Sequence, residues 1–136
     1  LPLHKVASGG EKSRLMLAFK ATGSGAASLP TIVLDEIDTG VSGKVAEEMA
    51  SLMHSMSSDQ QVIAVTHLPQ VAALADHHLK VSKATENGST RTLVTGLDDD
   101  QRVQEIAGML SGTVVTEAAV ANAASLLAGT QGSAPA

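Results

Sequence analysis

The chain has 136 residues, a net charge of −5, no cysteine, and Phe19 as its only aromatic residue. Without a basic run or an aromatic stacking platform, the composition argues against direct nucleic-acid binding through this segment. The lack of cysteine excludes a disulfide framework and a thiolate nucleophile, and no apolar run approaches the roughly 18 residues of a membrane span.

One α/β domain is expected, long enough to bury about two-thirds of its unfolded surface. It is placed by default in the cytoplasm, since its N-terminus is not a signal peptide. The start at Leu1 without an initiator methionine suggests a piece of a longer chain.

Ala7-Ser8-Gly9-Gly10-Glu11-Lys12-Ser13-Arg14 opens a predicted helix that continues through Phe19. Ser8 and Glu11 have capping-box spacing, which is sufficient for an ordinary helix start. The two glycines exceed what a cap needs and leave backbone N–H groups uncovered at the positive helix end, a seat for an anion. Both readings are open at this point. Residues 22–29 read as a loop closed by Pro30.

Thr31-Ile-Val-Leu-Asp-Glu-Ile-Asp38 runs an apolar strand into Asp35 and Glu36, with Asp38 following. Such a run suits a parallel strand buried on both faces, and acids at its carboxyl end sit where open α/β sheets bind ligands. One carboxylate can hold Mg²⁺ through its water shell while its neighbour orients or deprotonates water. Equally, Asp35 or Asp38 can simply cap the next helix, or the acids can be solvated.

After the turn Thr39–Gly43, a helix is predicted with Val45, Met49, Leu52, Met53 and Met56 inward and Lys44, Glu47, Glu48 and Ser51 outward. Gln61–Thr66 is a second buried strand, so residues 31–66 make a β-α-β crossover. His67 ends that strand on the same sheet edge as Asp35 and Glu36, where it can donate to a developing anion. A short helix spans Pro69–Leu74. His77 and His78 fall on opposite faces of a strand-like run, and His4 and His54 have no partner at ligand spacing, which argues against a metal site.

Leu79–Ala84 and Arg91–Thr95 flank Asn87-Gly88, a hairpin signal inside a somewhat longer loop. A helix carrying Val103, Ile106, Ala107 and Leu110 stops at Gly112, and a last helix runs from about Thr116 to Ala128. The lobe is therefore bounded at 1–128, with 129–136 as a disordered tail. Nothing matches G-x-x-x-x-G-K-[ST], so the chain carries parts of a nucleotide site without the loop that grips the phosphates.

Ser8-Gly9-Gly10-Glu11, Asp35-Glu36 and His67, in that order, resemble the signature motif, Walker B strand and histidine switch of an ABC-type ATPase head. The likeness is strongest to the SMC-like branch, and within it to bacterial DNA-repair members. It rests on Val6–Arg14, Val33–Gly43, Val65–Ala72, Val81–Lys83 and Gln104–Gly112, and so covers nearly everything before the tail. Ile37 and Glu11 stand where transporter ATPases typically have proline and glutamine.

The resemblance implies the C-terminal lobe of such a head: a largely parallel sheet flanked by helices, with a β-hairpin and two C-terminal helices. It also implies roles. Asp35 would hold Mg²⁺, Glu36 would act as catalytic base, and His67 would contact the γ-phosphate of ATP. Asp38 would carry signals between sites. Ser8, Gly9, Gly10 and Glu11 would reach across to ATP on a second head in a homodimer. The N-terminal lobe would bring the P-loop and a coiled coil would join the lobes. DNA would engage the complete, nucleoid-associated protein, with no membrane partner. This chain alone would be inactive. The alternatives are a lobe of a transporter-type or other ABC ATPase, or a non-catalytic module that retains the fold.

Overall fold

The computed structural model describes Ala18 and residues 30–35, 37–86 and 88–131. The expectations for Ser8, Gly9, Gly10, Glu11 and Glu36, and for the loop at 22–29, lie outside the described residues. The chain divides into two units between Val71 and Ala72.

In the first unit the β-branched run Thr31–Leu34 forms strand β1, and Gln61–Ala64 forms β2. They pair in parallel, with Thr31 opposite Gln61 and Leu34 opposite Ala64. Parallel strands need a crossover, and helix α1, Gly43–Met56, supplies it and packs on β2. Ala46, Met49, Ala50, Met53 and Met56 form its buried stripe. Unbranched methionine lets that stripe fill the irregular gap over a sheet with no aromatic residue.

Two expectations are corrected here. Val45 is 47% exposed and Leu52 only half-buried, because the buried arc is centred on Ala46 and Ala50 and lies to one side of the predicted stripe. The strands are also not buried on both faces. Ile32 and Leu34 are buried, whereas Val33 is 60% and Val65 57% exposed. An apolar run records that both faces avoid water in the finished assembly; which layer covers them is not written in it.

Helix α2, Pro69–Leu74, crosses the unit boundary. In the second unit Leu79–Glu86, strand β3, and Ser89–Gly96, strand β4, pair antiparallel. The ladder continues to Glu86 opposite Ser89, so the connection is shorter than the predicted loop. Helix α3, Asp99–Ser111, starts in a full capping box: Asp98 accepts from the Gln101 N–H, and Gln101 Oε1 accepts from the Asp98 N–H.

Helix α4, Glu117–Gln131, continues three residues past the predicted lobe boundary at 128. Ile106 and Ala107 of α3 pack with Ala72, Ala73, Ala119 and Ala123 into the core of this unit. Arg102 ties the same helix to the end of α2: its Nη2 donates to the carbonyl oxygens of Ala72, Ala73 and Ala75, at 2.6 Å for the last. Carbonyls in the last turn of a helix need partners from outside it, and the guanidinium supplies one here. Lys80 of β3 forms an ion pair with Glu105 of α3. Among the described residues no helix is long and apolar enough to cross a membrane.

Candidate functional site

Because β1 and β2 are parallel, the residues that follow them emerge at one edge of the sheet. The ladder is carried one step further by the Val65 N–H, which donates to the Leu34 carbonyl at 2.8 Å. Asp35 then leaves the first strand while Thr66 and His67 leave the second. Together with Asp38, Thr39 and Val65 they line an open hollow of about 290 Å³. A larger hollow of about 750 Å³ beside Lys80, Glu105 and Val115 of the second unit brings together no comparable chemistry.

Asp38 is the hub of the smaller hollow. It is 4% exposed, and its Oδ2 accepts from the Thr66 hydroxyl at 2.6 Å and from the His67 backbone N–H at 2.8 Å. The same oxygen lies 3.0 Å from His67 Nδ1. Thr66 Oγ1 accepts in turn from the Leu68 N–H at 3.0 Å. A carboxylate only accepts, so a hydrogen bond at this contact needs a proton on Nδ1, and Nε2 can donate to a phosphate only if it carries one as well, as in the imidazolium. The His67 side chain is 72% exposed.

The turn that carries Asp38 is closed by the Val41 N–H, which donates to the Asp38 carbonyl at 3.1 Å. Gly40 and Gly43 have φ of +71° and +57°. Side chains with a Cβ rarely adopt that region, which explains two glycines within four residues. The Asp38 carboxylate does not cap α1: the N-cap residue is Ser42, and its side chain makes no capping bond. Of the openings the sequence left for Asp38, the fold takes neither capping nor solvation.

Burial pushes the Asp38 carboxyl up, but donation from Thr66 and from the His67 N–H, with the nearby His67 ring, outweighs it. The net result is a carboxyl below its ordinary value of 3.8. A group lowered in the folded state stabilises above its unfolded value and loses that contribution as pH falls through the folded one. Stability of this unit is therefore expected to decline below about pH 4. Asp38→Ala should remove that acid-side slope and cost about 1–3 kcal/mol at neutral pH, because two part-buried donors lose their acceptor. Urea titrations across pH 3–7 check this; equal acid slopes in both proteins would refute it.

Asp35 is exposed and receives no side-chain hydrogen bond from any described residue. Among the described residues no group of three or more His, Cys, Asp or Glu comes together to hold a metal. Asp35 alone suits Mg²⁺, which keeps most of its waters and takes one or two carboxylates plus phosphate oxygens.

The structure thus brings Asp35, Asp38 and His67 together, while Glu36, Ser8, Gly9, Gly10 and Glu11 lie outside the described residues. Thr66 was missed. A β-branched residue at a strand end reads as a strand former, and only the partner 28 positions away reveals its hydroxyl.

No family model matches the chain. It is 47% identical over 126 residues to the DNA repair protein RecN of Halalkalibacterium halodurans, covering 93% of this chain and 22% of that protein. RecN of Bacillus subtilis matches at 47% over 92% of this chain and 22% of its own length, and RecN of Vibrio cholerae at 43% over 93% and 23%. The chain thus spans about a fifth of the length of the curated relatives it matches. A solved chain from work on ATP-driven dimerisation and DNA-stimulated activation of SMC ATPases shares the fold. It superposes with a TM-score of 0.60 at 24% identity over 81% of this chain and 66% of its own. By these matches the chain corresponds to a segment of the RecN proteins and shares its fold with a chain of an SMC ATPase.

Proposed function

We propose that this segment works in a DNA-repair ATPase, where it supplies the metal-side and phosphate-sensing residues of an ATP site whose phosphate-gripping loop lies elsewhere in the protein. The reading rests on one observation above the others: the hollow that Asp35 and His67 share at the carboxyl edge of a parallel strand pair. Ligands of open α/β sheets sit at that edge.

Asp35 would hold Mg²⁺ through water, and the bound ion would neutralise charge on the β- and γ-phosphates. His67 would face the γ-phosphate from the second strand. Glu36, next to Asp35 in sequence, would take a proton from the attacking water. Ser8, Gly9, Gly10 and Glu11 would meet the ATP of a second head, which gives an anion seat without its own P-loop a purpose. Asp38 would serve the site through His67, since its Oδ2 already accepts from two donors.

Two partners follow. The exposed apolar residues Val33, Ile63 and Val65 on one face of the strand pair favour a covering layer, for which the N-terminal lobe of the same head is the natural candidate. Likeness in fold to an SMC ATPase favours a homodimer closed on ATP. With 14 acidic against 9 basic residues, the segment is a poor DNA surface, so DNA would be met by other parts of the complete protein. A cytoplasmic, nucleoid-associated setting fits that role.

The complete protein should hydrolyse ATP only with Mg²⁺, and His67→Ala should slow turnover about 10²–10³-fold, as loss of a preorganised donor does. Steady-state phosphate release tests both. Metal-independent turnover, or a His67→Ala rate equal to wild type, would sink the assignment.

A further inference from the structure

We propose that Thr66 is a positioning residue for the ATP reaction: through Asp38 it holds the turn and the ring of His67 in place at the hollow. The inference rests on the reading of His67 as a phosphate contact. It extends that reading to a residue with no assigned role and redirects Asp38 toward the histidine of its own chain.

The geometry is a closed relay. The Thr66 hydroxyl has one proton and spends it on Asp38 Oδ2 at 2.6 Å. Its lone pair accepts the Leu68 N–H at 3.0 Å, so the hydroxyl spans the residue between them, His67. The His67 backbone N–H and Nδ1 both turn toward the same carboxylate oxygen, at 2.8 and 3.0 Å. Three bonds therefore define where the backbone of His67 sits, and the fourth contact defines how its ring is turned.

An exposed histidine ordinarily samples several rotamers, and ordering one costs side-chain entropy. Here that cost is met before a ligand arrives, because the acceptor is buried and cannot follow the ring outward. Only Nε2 remains to face the hollow. Of the relay, Thr66 is the member whose removal leaves both His67 and the Asp38 charge present, so it isolates positioning from contact.

The test is a mutant cycle in the complete protein, read as ATP turnover with Mg²⁺. Thr66→Val keeps the shape and removes the hydroxyl, and should lower kcat about 10- to 100-fold with little change in KM. Thr66→Ser should restore most of the rate. In the His67→Ala background, Thr66→Val should cost nothing further, which a merely structural threonine would not reproduce.

Additive losses, or a Thr66→Val enzyme as fast as wild type while His67→Ala is slow, would overturn the inference and leave the proposed function standing. A His67→Ala enzyme as fast as wild type would overturn both. If Thr66→Val does not fold, the ring ¹⁵N shifts of His67 in the wild-type protein decide. A protonated Nδ1 supports the relay, and a bare Nδ1 refutes it.

Discussion

Glu36→Gln in the complete protein is expected to bind ATP with Mg²⁺ and hydrolyse it about 10²–10⁴-fold more slowly than wild type. The substitution keeps size, shape and one acceptor oxygen but removes the group that can take a proton from water. Its neighbours in the chain frame the expectation. Asp35 lines the open hollow, and Ile37 is buried in the first unit. Slow hydrolysis with intact binding should also trap the nucleotide-closed head dimer, which sedimentation in ATP would detect. Turnover near the wild-type rate would remove Glu36 from the base role and leave His67 and Asp35 to be judged by their own variants.

What could be read before any coordinates follows from how local each signal is. The strand at 31–34 and the crossover to 61–64 were legible because β-branched runs bounded by turn residues carry their own period. The start of α3 was not singled out in advance, although Asp98 and Gln101 form a complete box within four residues.

The hairpin was read from Asn87-Gly88, yet its strands came out too short. Thr85, Glu86, Ser89 and Thr90 are polar and look like loop until their cross-strand partners are known. Val45 shows a different limit. Helical spacing gives an apolar arc, and whether Val45 or Ala46 lies at its centre depends on where the sheet sits.

Asp38 and Thr66 mark the sharpest boundary. Each residue offers a turn or strand reading of its own, and the bond between them spans 28 positions that no local pattern connects. The placing of Asp35 and His67 at one sheet edge was therefore legible, because it follows from strand ends. The site's internal wiring was not, because that wiring is tertiary.

Ile106→Ala is expected to destabilise the second unit by about 2–5 kcal/mol, and toward the upper end of that range. Ile106 is 0% exposed and is the largest fully buried side chain among the described residues. Its buried neighbours are alanines: Ala72, Ala73, Ala107, Ala119 and Ala123. Small residues let α3 and α4 approach closely, and Val103, Met109, Val120, Leu126 and Leu127 pack around the contact while Ile106 is the large side chain fully buried in it. The alanines have no rotamer with which to reach inward, so only the partly buried side chains around them can relax into the cavity.

The chain has no tryptophan or tyrosine, so fluorescence cannot follow the loss. Amide hydrogen exchange of residues 99–111 and 117–131 in the complete protein can. At about 1.4 kcal/mol per tenfold, protection there should fall by roughly 1.5 to 3.5 decades, while Ile106→Val should cost only about 0.5–1.5 kcal/mol. Comparable losses for the two variants would mean that the site collapses around the missing carbons. The alanine-lined contact would then be softer than its packing implies.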